Sequence, residues 1–567
     1  MTQHVLFIGG VALGSKAACR FKRLMPDARA TLIDQDPFIS YGGCGIPFYV
    51  SGDVSDIDEL RRTSFHMLRD ETFFRTCKDV EVRAGTRVER IDRQHQKVTV
   101  RGPSGKTEEI GYDQLVLGTG SKPKNLRIPG ADLDGAFHVA NLHDAEAVKT
   151  RVTAGKVGKA VIIGGGFIGL EMAEALADMW EVDTTIVEYM NQIMPGFVSP
   201  VFARMAMNQM IDHGIHFFVD EQVTAIEGNG RVETVVTNKR RLPADMVIMA
   251  VGVTPNVDLA RDAGLEIGPT GGIVVDEHLR TSDPLIFSGG DCVEIRNRVT
   301  GKPTFIPLGS MANRQGRVIG TNLAGGKAVF KGAVGSFAVK IFEAALAGAG
   351  LSIGGALNAG FDAISVQMSQ LDRAHFYPDK AMMFLELVVD KKTRRVLGIQ
   401  GFGKSGDAVV GRINTVAALL EETCTVDRIS NLEMAYSPPF SAALDILNCL
   451  ANVAENVLDD HLEPMEAPSF VEKWENDADR RYLVLDCRAH ADGEPFVAKY
   501  PDRWMNIPQD ELKLRVDELP KDRELILVCN TGTRSYEAQV NLRQMGIKTA
   551  GSVEGGMALL GKYGAGV

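Results

Sequence analysis

The run Val5-Leu6-Phe7-Ile8 is apolar at every position and stops at Gly9-Gly10. A short, continuous apolar run bounded by glycine predicts a strand covered on both faces, His4–Ile8, because a half-exposed strand would alternate. The turn Gly9-Gly10-Val11-Ala12-Leu13-Gly14 leads into a helix, and a second strand follows at Ala30–Asp34. The same grammar returns later: strand Ala160–Ile163, turn Gly164-Gly165-Gly166-Phe167-Ile168-Gly169, helix Leu170–Met179 and strand Thr184–Glu188. Three further apolar runs end in small residues. They are Leu115–Leu117 before Gly118-Thr119-Gly120, Met246–Gly252 before Thr254-Pro255-Asn256, and Leu285–Ser288 before Gly289-Gly290-Asp291-Cys292. Strand, glycine turn, helix and strand make a βαβ unit of a parallel sheet, so the pattern predicts an α/β chain with two such units.

The two turns carry chemistry. Glycines there allow a sharp bend and bring a pyrophosphate close to a helix N-terminus, where unpaired N–H groups and the dipole favour an anion. Asp34 lies 25 positions after Gly9, and Glu188 lies 24 after Gly164, where an acidic residue meets a ribose hydroxyl in dinucleotide folds. The second turn is a full G-x-G-x-x-G. In the first, Val11 replaces the middle glycine. Glu188 would bond a 2′-hydroxyl and repel a 2′-phosphate, and no Arg or Lys follows within ten residues, which favours NADH over NADPH.

Bulk properties narrow the class. A chain of 567 residues is expected to hold about three or four domains. A net charge of −11 argues against a general affinity for nucleic acid or anionic membrane. The eight cysteines form no C-x-x-C pair and no metal-ligand spacing, so no metal site is expected and a reducing cytoplasm fits. The opening apolar run is too short for a signal peptide, and no stretch of about 18 apolar residues suggests a membrane span.

Cys44 stands in Ile39-Ser40-Tyr41-Gly42-Gly43-Cys44-Gly45-Ile46-Pro47-Phe48-Tyr49, with three glycines within two positions. In isolation such a cysteine reads as a small core residue. Beside two dinucleotide units it reads as a sulfur that exchanges electrons with a flat ring. These stretches, with Pro307-Leu308, Ala312-Asn313-Arg314-Gln315-Gly316-Arg317 and Tyr436-Ser437-Pro438-Pro439-Phe440-Ser441, resemble the FAD-dependent pyridine nucleotide–disulfide oxidoreductases over about residues 4–455. Within them the chain looks most like the coenzyme A-disulfide reductase and NADH-dependent persulfide reductase branch.

The resemblance implies FAD on Gly9, Gly10, Ala12, Gly14, Asp34, Gly118, Thr119, Gly120, Gly290, Asp291, Pro307 and Leu308. It implies NADH or NADPH on Gly164, Gly166, Phe167, Ile168, Gly169 and Glu188, and coenzyme A near Ser40 and Arg23. Arg20 shares a helix face with Arg23 at i, i+3, and Lys78 is a weaker candidate for the same phosphates. Glutathione- and lipoamide-type relatives hold a C-x4-C pair. Here Ile39 and Tyr49 occupy the positions five places either side of Cys44, so Cys44 pairs with an external CoA thiol, persulfide or oxygen. No histidine falls in 10–16, which weighs against peroxide chemistry. Two departures stand out: Gly43 replaces the usual Asn, and Arg373-Ala374-His375-Phe376-Tyr377-Pro378 replaces His-x-x-Tyr-Tyr-Pro. Tyr377 and Tyr436 are left as phenolic donors toward a second subunit's sulfur.

The segment Asp459–Pro468, acidic and bearing proline, reads as a linker. Strands Tyr482–Cys487 and Leu525–Val528 follow. The second runs into Cys529-Asn530-Thr531-Gly532-Thr533-Arg534-Ser535 and a helix, and Gly551–Gly556 closes the unit. A cysteine between a parallel strand and a helix sits in a nest of N–H groups, which with Arg534 would stabilise an anionic persulfide. This resembles a rhodanese domain over about 466–567, whose C-x4-R loop is sized for a sulfane sulfur. Cys19, Cys77, Cys292, Cys424, Cys449 and Cys487 read as structural.

The expected architecture is α/β. It has two Rossmann-like domains, for FAD (1–125 with 253–330) and NAD(P)H (126–252), an α+β dimerisation domain (331–457) and a C-terminal α/β rhodanese domain (466–567). The expected enzyme passes hydride from NAD(P)H through FAD to Cys44, which reduces CoA persulfide, polysulfide or CoA disulfide. Cys529 would deliver sulfane sulfur, and the protein would be a cytoplasmic homodimer or higher homo-oligomer. The alternative is a flavin NADH oxidase or thiol redox sensor cycling through a Cys44 sulfenate.

Overall fold

The computed structural model describes residues 2–567 and contains two compact units, one comprising the chain through Asn191 with Gly214–Ala333, the other Gln192–His213 with Val334–Val567. The first unit holds two five-stranded sheets, each parallel throughout. One has the order Ile286–Ser288, Gln114–Leu117, His4–Ile8, Arg29–Ile33, Glu81–Arg83. Val5, Leu6 and Phe7 of its central strand are completely buried, as the unbroken apolar run requires. The other sheet has the order His216–Phe218, Asp183–Val187, Lys159–Ile163, Met246–Met249, Ala136–Phe137.

The helices start earlier than the glycine pattern implied. They span Leu13–Leu24 and Phe167–Ala177, so Gly14 and Gly169 lie inside them. The reason is packing: a Cβ on Gly14 would lie 2.0 Å from the Gly9 carbonyl oxygen, and one on Gly169 would lie 2.0 Å from that of Gly164. The last glycine therefore serves helix–strand contact rather than the turn. Asp34 and Glu188 fall just beyond their strands. Their N–H groups still donate to the neighbouring strand ends, at Arg83 and Phe218.

The second unit contains an antiparallel sheet ordered Phe337–Ile341, Ala344–Gly350, Val396–Gly403, Met382–Asp390, Ala363–Leu371. Helices Gly406–Leu420 and Ile446–Leu458 pack on it. The helix Pro200–Asp212 belongs to the same compact unit as this sheet. Its flank is tied there: Ser199 N–H donates to Gln400 Oε1 at 2.8 Å, and Gln209 Nε2 donates to Glu343 Oε1 at 2.8 Å.

A third parallel sheet, Pro464–Met465, Thr549–Val553, Glu524–Val528, Tyr482–Asp486, Trp504–Asn506, completes the second unit. It corrects two expectations. The supposed linker supplies the edge strand Pro464–Met465, because Ser552 and Glu554 N–H groups donate to the Glu463 and Met465 carbonyls. Nor does Gly551–Gly556 close the unit, since the helix Gly556–Tyr563 follows.

Where this sheet's last strand ends, Glu554 enters a buried polar cluster with Glu386 and Glu466. Gln367 donates its backbone N–H to Glu554 at 3.2 Å and its side-chain amide to Glu386 at 2.9 Å, and Ser365 donates to Glu466 at 3.4 Å. Burial pushes all three carboxyls up, Glu386 to about 7. Among the described residues no helix is long and apolar enough to cross a membrane, and no group of His, Cys, Asp and Glu has a metal-binding arrangement.

Candidate active site

The carboxyl ends of the first sheet converge. Gly9 takes φ +97°, and a Cβ on it would lie 2.1 Å from the Gly118 carbonyl oxygen, so only glycine lets strands His4–Ile8 and Gln114–Leu117 end side by side. This is the topological switch point of an open parallel sheet, where ligands bind. Gly10 N–H donates to Asp34 Oδ2 at 2.6 Å and Asp36 N–H to Asp34 Oδ1 at 2.8 Å. Thr119 and Asn256 exchange hydrogen bonds, Gly120 accepts from Asn256 N–H, and Gly290 N–H donates to Gln315 Oε1 at 2.6 Å. Asp291 accepts from Ser121 Oγ at 3.2 Å, and burial raises its carboxyl and that of Asp34.

The second glycine turn repeats the arrangement. Gly164 has φ +109°, Gly165 N–H donates to Glu188 Oε2 at 2.7 Å, and Met190 N–H donates to Glu188 Oε1 at 2.7 Å. Asp34 and Glu188, both expected to meet a ribose, thus also fix their own glycine loops. Each carboxylate oxygen keeps a second lone pair.

Three helix starts here have no side-chain cap: Ala12 before Leu13–Leu24, Gly166 before Phe167–Ala177, and Leu308, after Pro307, before Gly309–Leu323. Phe167 and Ile168 form the first turn of the second. Uncapped helix N-termini at glycine turns fit the pyrophosphates of two dinucleotides.

Cys44 lies in a short 3-10 turn, Gly43–Gly45, at the start of the helix Ile46–Ser51. It is exposed on one side, and Gly309 lies against the other, where a Cβ would sit 3.7 Å from Cys44 Sγ. The crowding pushes the Cys44 thiol up, and the Glu171 carboxylate adds to this, while the Gly309 backbone works the other way. Glu171 was not among the expected site residues. It stands on the apolar helix Phe167–Ala177, where burial first and Glu174 second raise it to about 7. An acid in so apolar a helix, two residues after a dinucleotide motif, was the available signal.

The expected coenzyme A residues scatter. Ser40 is buried at φ +53°, its N–H donating to Gly10 at 3.0 Å. Arg20 is half-buried with Nε on Thr321 Oγ1 at 3.1 Å, whereas Arg23 is exposed with Nε on the Cys19 carbonyl. Lys78 lies over the Phe73 ring. The two arginines therefore do not present one free face. Lys22, between them, is buried on the Pro26 and Ala28 carbonyls.

In the second unit, the loops carrying Tyr377 and Tyr436 are joined by Ala374 N–H donating to the Pro438 carbonyl at 3.2 Å. The buried Arg412 braces them, donating to the Phe440 carbonyl at 3.3 Å and to Asp445 at 2.7 Å. Arg412 and Asp445 were not legible as supports, because nothing local in the sequence pairs them. Tyr436 is half exposed.

Cys529 ends the strand Glu524–Val528 and is buried. Gly532, at φ +100°, donates its N–H to Cys529 Sγ at 3.1 Å, and Ser535 Oγ donates to the same sulfur at 3.5 Å. Ser552 holds Ser535 at 2.9 Å. Arg534 is half-buried on the first turn of the helix Thr533–Gln544. The sulfur thus faces two hydrogen-bond donors.

Two glycine-turn nucleotide cradles, with a cysteine lying against one of them, fit the class of flavoenzymes that move electrons between a pyridine nucleotide and sulfur. The chain belongs to the pyridine nucleotide-disulphide oxidoreductases, whose model matches residues 3–316. The family's dimerisation domain matches 336–447 and a rhodanese-like domain 469–560. The family binds FAD and NAD(P)H.

Among its relatives is the NAD(P)H coenzyme A polysulfide/persulfide reductase of Pyrococcus horikoshii, 33% identical over 80% of this chain and 98% of that protein. An NADH oxidase of Methanocaldococcus jannaschii is 31% identical over 80% of this chain and 98% of that protein. The solved NAD-dependent persulfide reductase from A. fulgidus has a TM-score of 0.92 and 37% identity, covering 98% of this chain and all of that one.

Proposed function

We propose that this enzyme reduces coenzyme A persulfide or polysulfide with NADH, using Cys44 as the single redox sulfur and Cys529 as a carrier of sulfane sulfur. The observation that carries the reading is a lone cysteine against the cradle, Cys44 beside Gly309, in one chain with a second cysteine in a donor-lined loop. Bound FAD supplies the two-electron link between NADH and sulfur.

The chain's own residues do the rest. Gly9, Gly10, Ala12, Gly14, Gly118, Thr119, Gly120, Gly290, Asp291, Pro307 and Leu308 hold the flavin nucleotide, with Asp34 toward its ribose. Gly164, Gly166, Phe167, Ile168, Gly169 and Glu188 hold NADH. Cys44 thiolate attacks the CoA-bearing sulfur of the persulfide, hydrosulfide leaves, and a Cys44–CoA mixed disulfide forms. Two electrons then release CoA thiolate and restore Cys44. The balance is NADH, H+ and CoA persulfide giving NAD+, CoA and hydrogen sulfide. Tyr377 and Tyr436, supplied by a second copy of the chain in a cytoplasmic homodimer, protonate the leaving thiolate. Ser40, Arg23, Arg20 and Lys78 are the proposed coenzyme A contacts, Arg23 being the most exposed of the cations.

The oxidase relative supplies the competing reading, in which Cys44 cycles through a sulfenate. Stoichiometry separates them. With NADH and CoA persulfide in air, about one sulfide per NADH supports the reductase. Oxygen consumption that accounts for the NADH, with no sulfide, overturns it.

A further inference from the structure

By its sequence context Cys487 reads as structural, but the sheet places it beside Cys529. Strands Tyr482–Asp486 and Glu524–Val528 pair in parallel, with Leu483 opposite Leu525, Leu485 opposite Leu527 and Asp486 opposite Val528. Cys487 and Cys529 occupy the next rung. Side chains alternate along a strand, so Leu483, Leu485 and Cys487 share a face with Leu525, Leu527 and Cys529. All six belong to one buried cluster. Adjacent strands run about 4.8 Å apart, within the roughly 4.4–6.8 Å that disulfides span between Cα atoms. Both cysteines are almost fully buried. Burial pushes the Cys487 thiol up first, Cys529 and Asp486 raise it further, and Arg534 opposes them.

We propose that Cys487 is the resolving thiol of a Cys529 persulfide, attacking Cys529 Sγ when no acceptor is present. The inference rests on the sulfur-carrier role given to Cys529. A Cys487–Cys529 S–S bond forms, and the bond from Cys529 Sγ to the sulfane sulfur breaks. That sulfur leaves with the electron pair and takes the Cys487 proton as hydrogen sulfide. The two cysteine sulfurs are oxidised to the disulfide level and the sulfane sulfur is reduced to sulfide, so no outside oxidant is needed. Two thiols of the coenzyme A class reduce the bond again and emerge as their own disulfide. Cys487, held protonated in its apolar pocket, lets an external acceptor compete first and resolves only a stranded persulfide.

The test uses the full-length holoenzyme, freed of small thiols and supplied with thiosulfate but no NADH. Sulfite release reports loading of Cys529. The expected result is one sulfite and one sulfide per chain, a Cys487–Cys529 cross-linked peptide under non-reducing conditions, and, in Cys487→Ser, a Cys529 that retains the extra sulfur. Sulfite without sulfide, with the extra sulfur retained on Cys529 and Cys487 still alkylated in the wild-type chain, overturns the inference while leaving the carrier role intact. Absence of sulfite overturns both. The decisive measurement is on the unmutated protein, so the folding of the variant does not enter it.

Discussion

Gly43 stands where the family's branch usually has Asn, and the structure shows that the fold does not force this choice. A Cβ there would meet only Tyr41, at 3.9 Å, and the residue does not take positive φ. Gly43→Asn is therefore expected to keep the wild-type unfolding midpoint, measured by differential scanning calorimetry. A loss of more than about 2 kcal/mol would mean the glycine is structurally required. Glu171 makes the opposite case. Its place in an apolar helix just after a dinucleotide motif marks it as unusual in sequence, but its effect on Cys44 comes from burial and proximity, which only the fold supplies. Its carboxylate disfavours the Cys44 thiolate, so Glu171→Gln should lower the Cys44 thiol and move the acid limb of the pH–rate profile to lower pH. Thiolate ultraviolet absorbance and NADH turnover across pH check this, and an unmoved profile would contradict it.

At the scale of elements, the glycine turns and their flanking strands were legible because close backbone approach leaves few residue choices. Boundaries were less legible. Gly14 and Gly169 look like turn residues but are helical, since their role is contact with Gly9 and Gly164. The edge strand Pro464–Met465 was hidden because an acidic, proline-bearing stretch carries linker chemistry until a partner strand accepts it. The Glu386–Glu554–Glu466 cluster was equally hidden, as its members are far apart in sequence and draw together only when the two sheets of the second unit pack. It has a pH consequence. A raised carboxyl keeps its proton in the folded chain after the unfolded chain has lost it. Glu386, at about 7 against an ordinary 4.5, therefore costs no stability below about 4.5 and progressively more up to about 7. Denaturant unfolding of the second unit's transition should weaken over that interval, and Glu386→Gln should flatten the slope. A slope unchanged in the variant would contradict the assignment.

For the whole molecule, the two nucleotide-binding units and the rhodanese-like unit were readable because each announces itself by a glycine turn or a cysteine at the end of a buried strand, whereas the dimerisation domain was expected only from the family resemblance. The grouping of helix Pro200–Asp212 with the dimerisation sheet was not readable, since it depends on contacts such as Ser199 with Gln400 across about two hundred residues. The proposed mechanism turns on Cys44 as the sulfur that does the reduction. Cys44→Ser measures it most directly, with anaerobic sulfide release from coenzyme A persulfide followed against NADH. The variant is expected still to bind flavin while sulfide release falls at least a hundredfold, on the order of 3 kcal/mol in the barrier. Sulfide release continuing at the wild-type rate would contradict it.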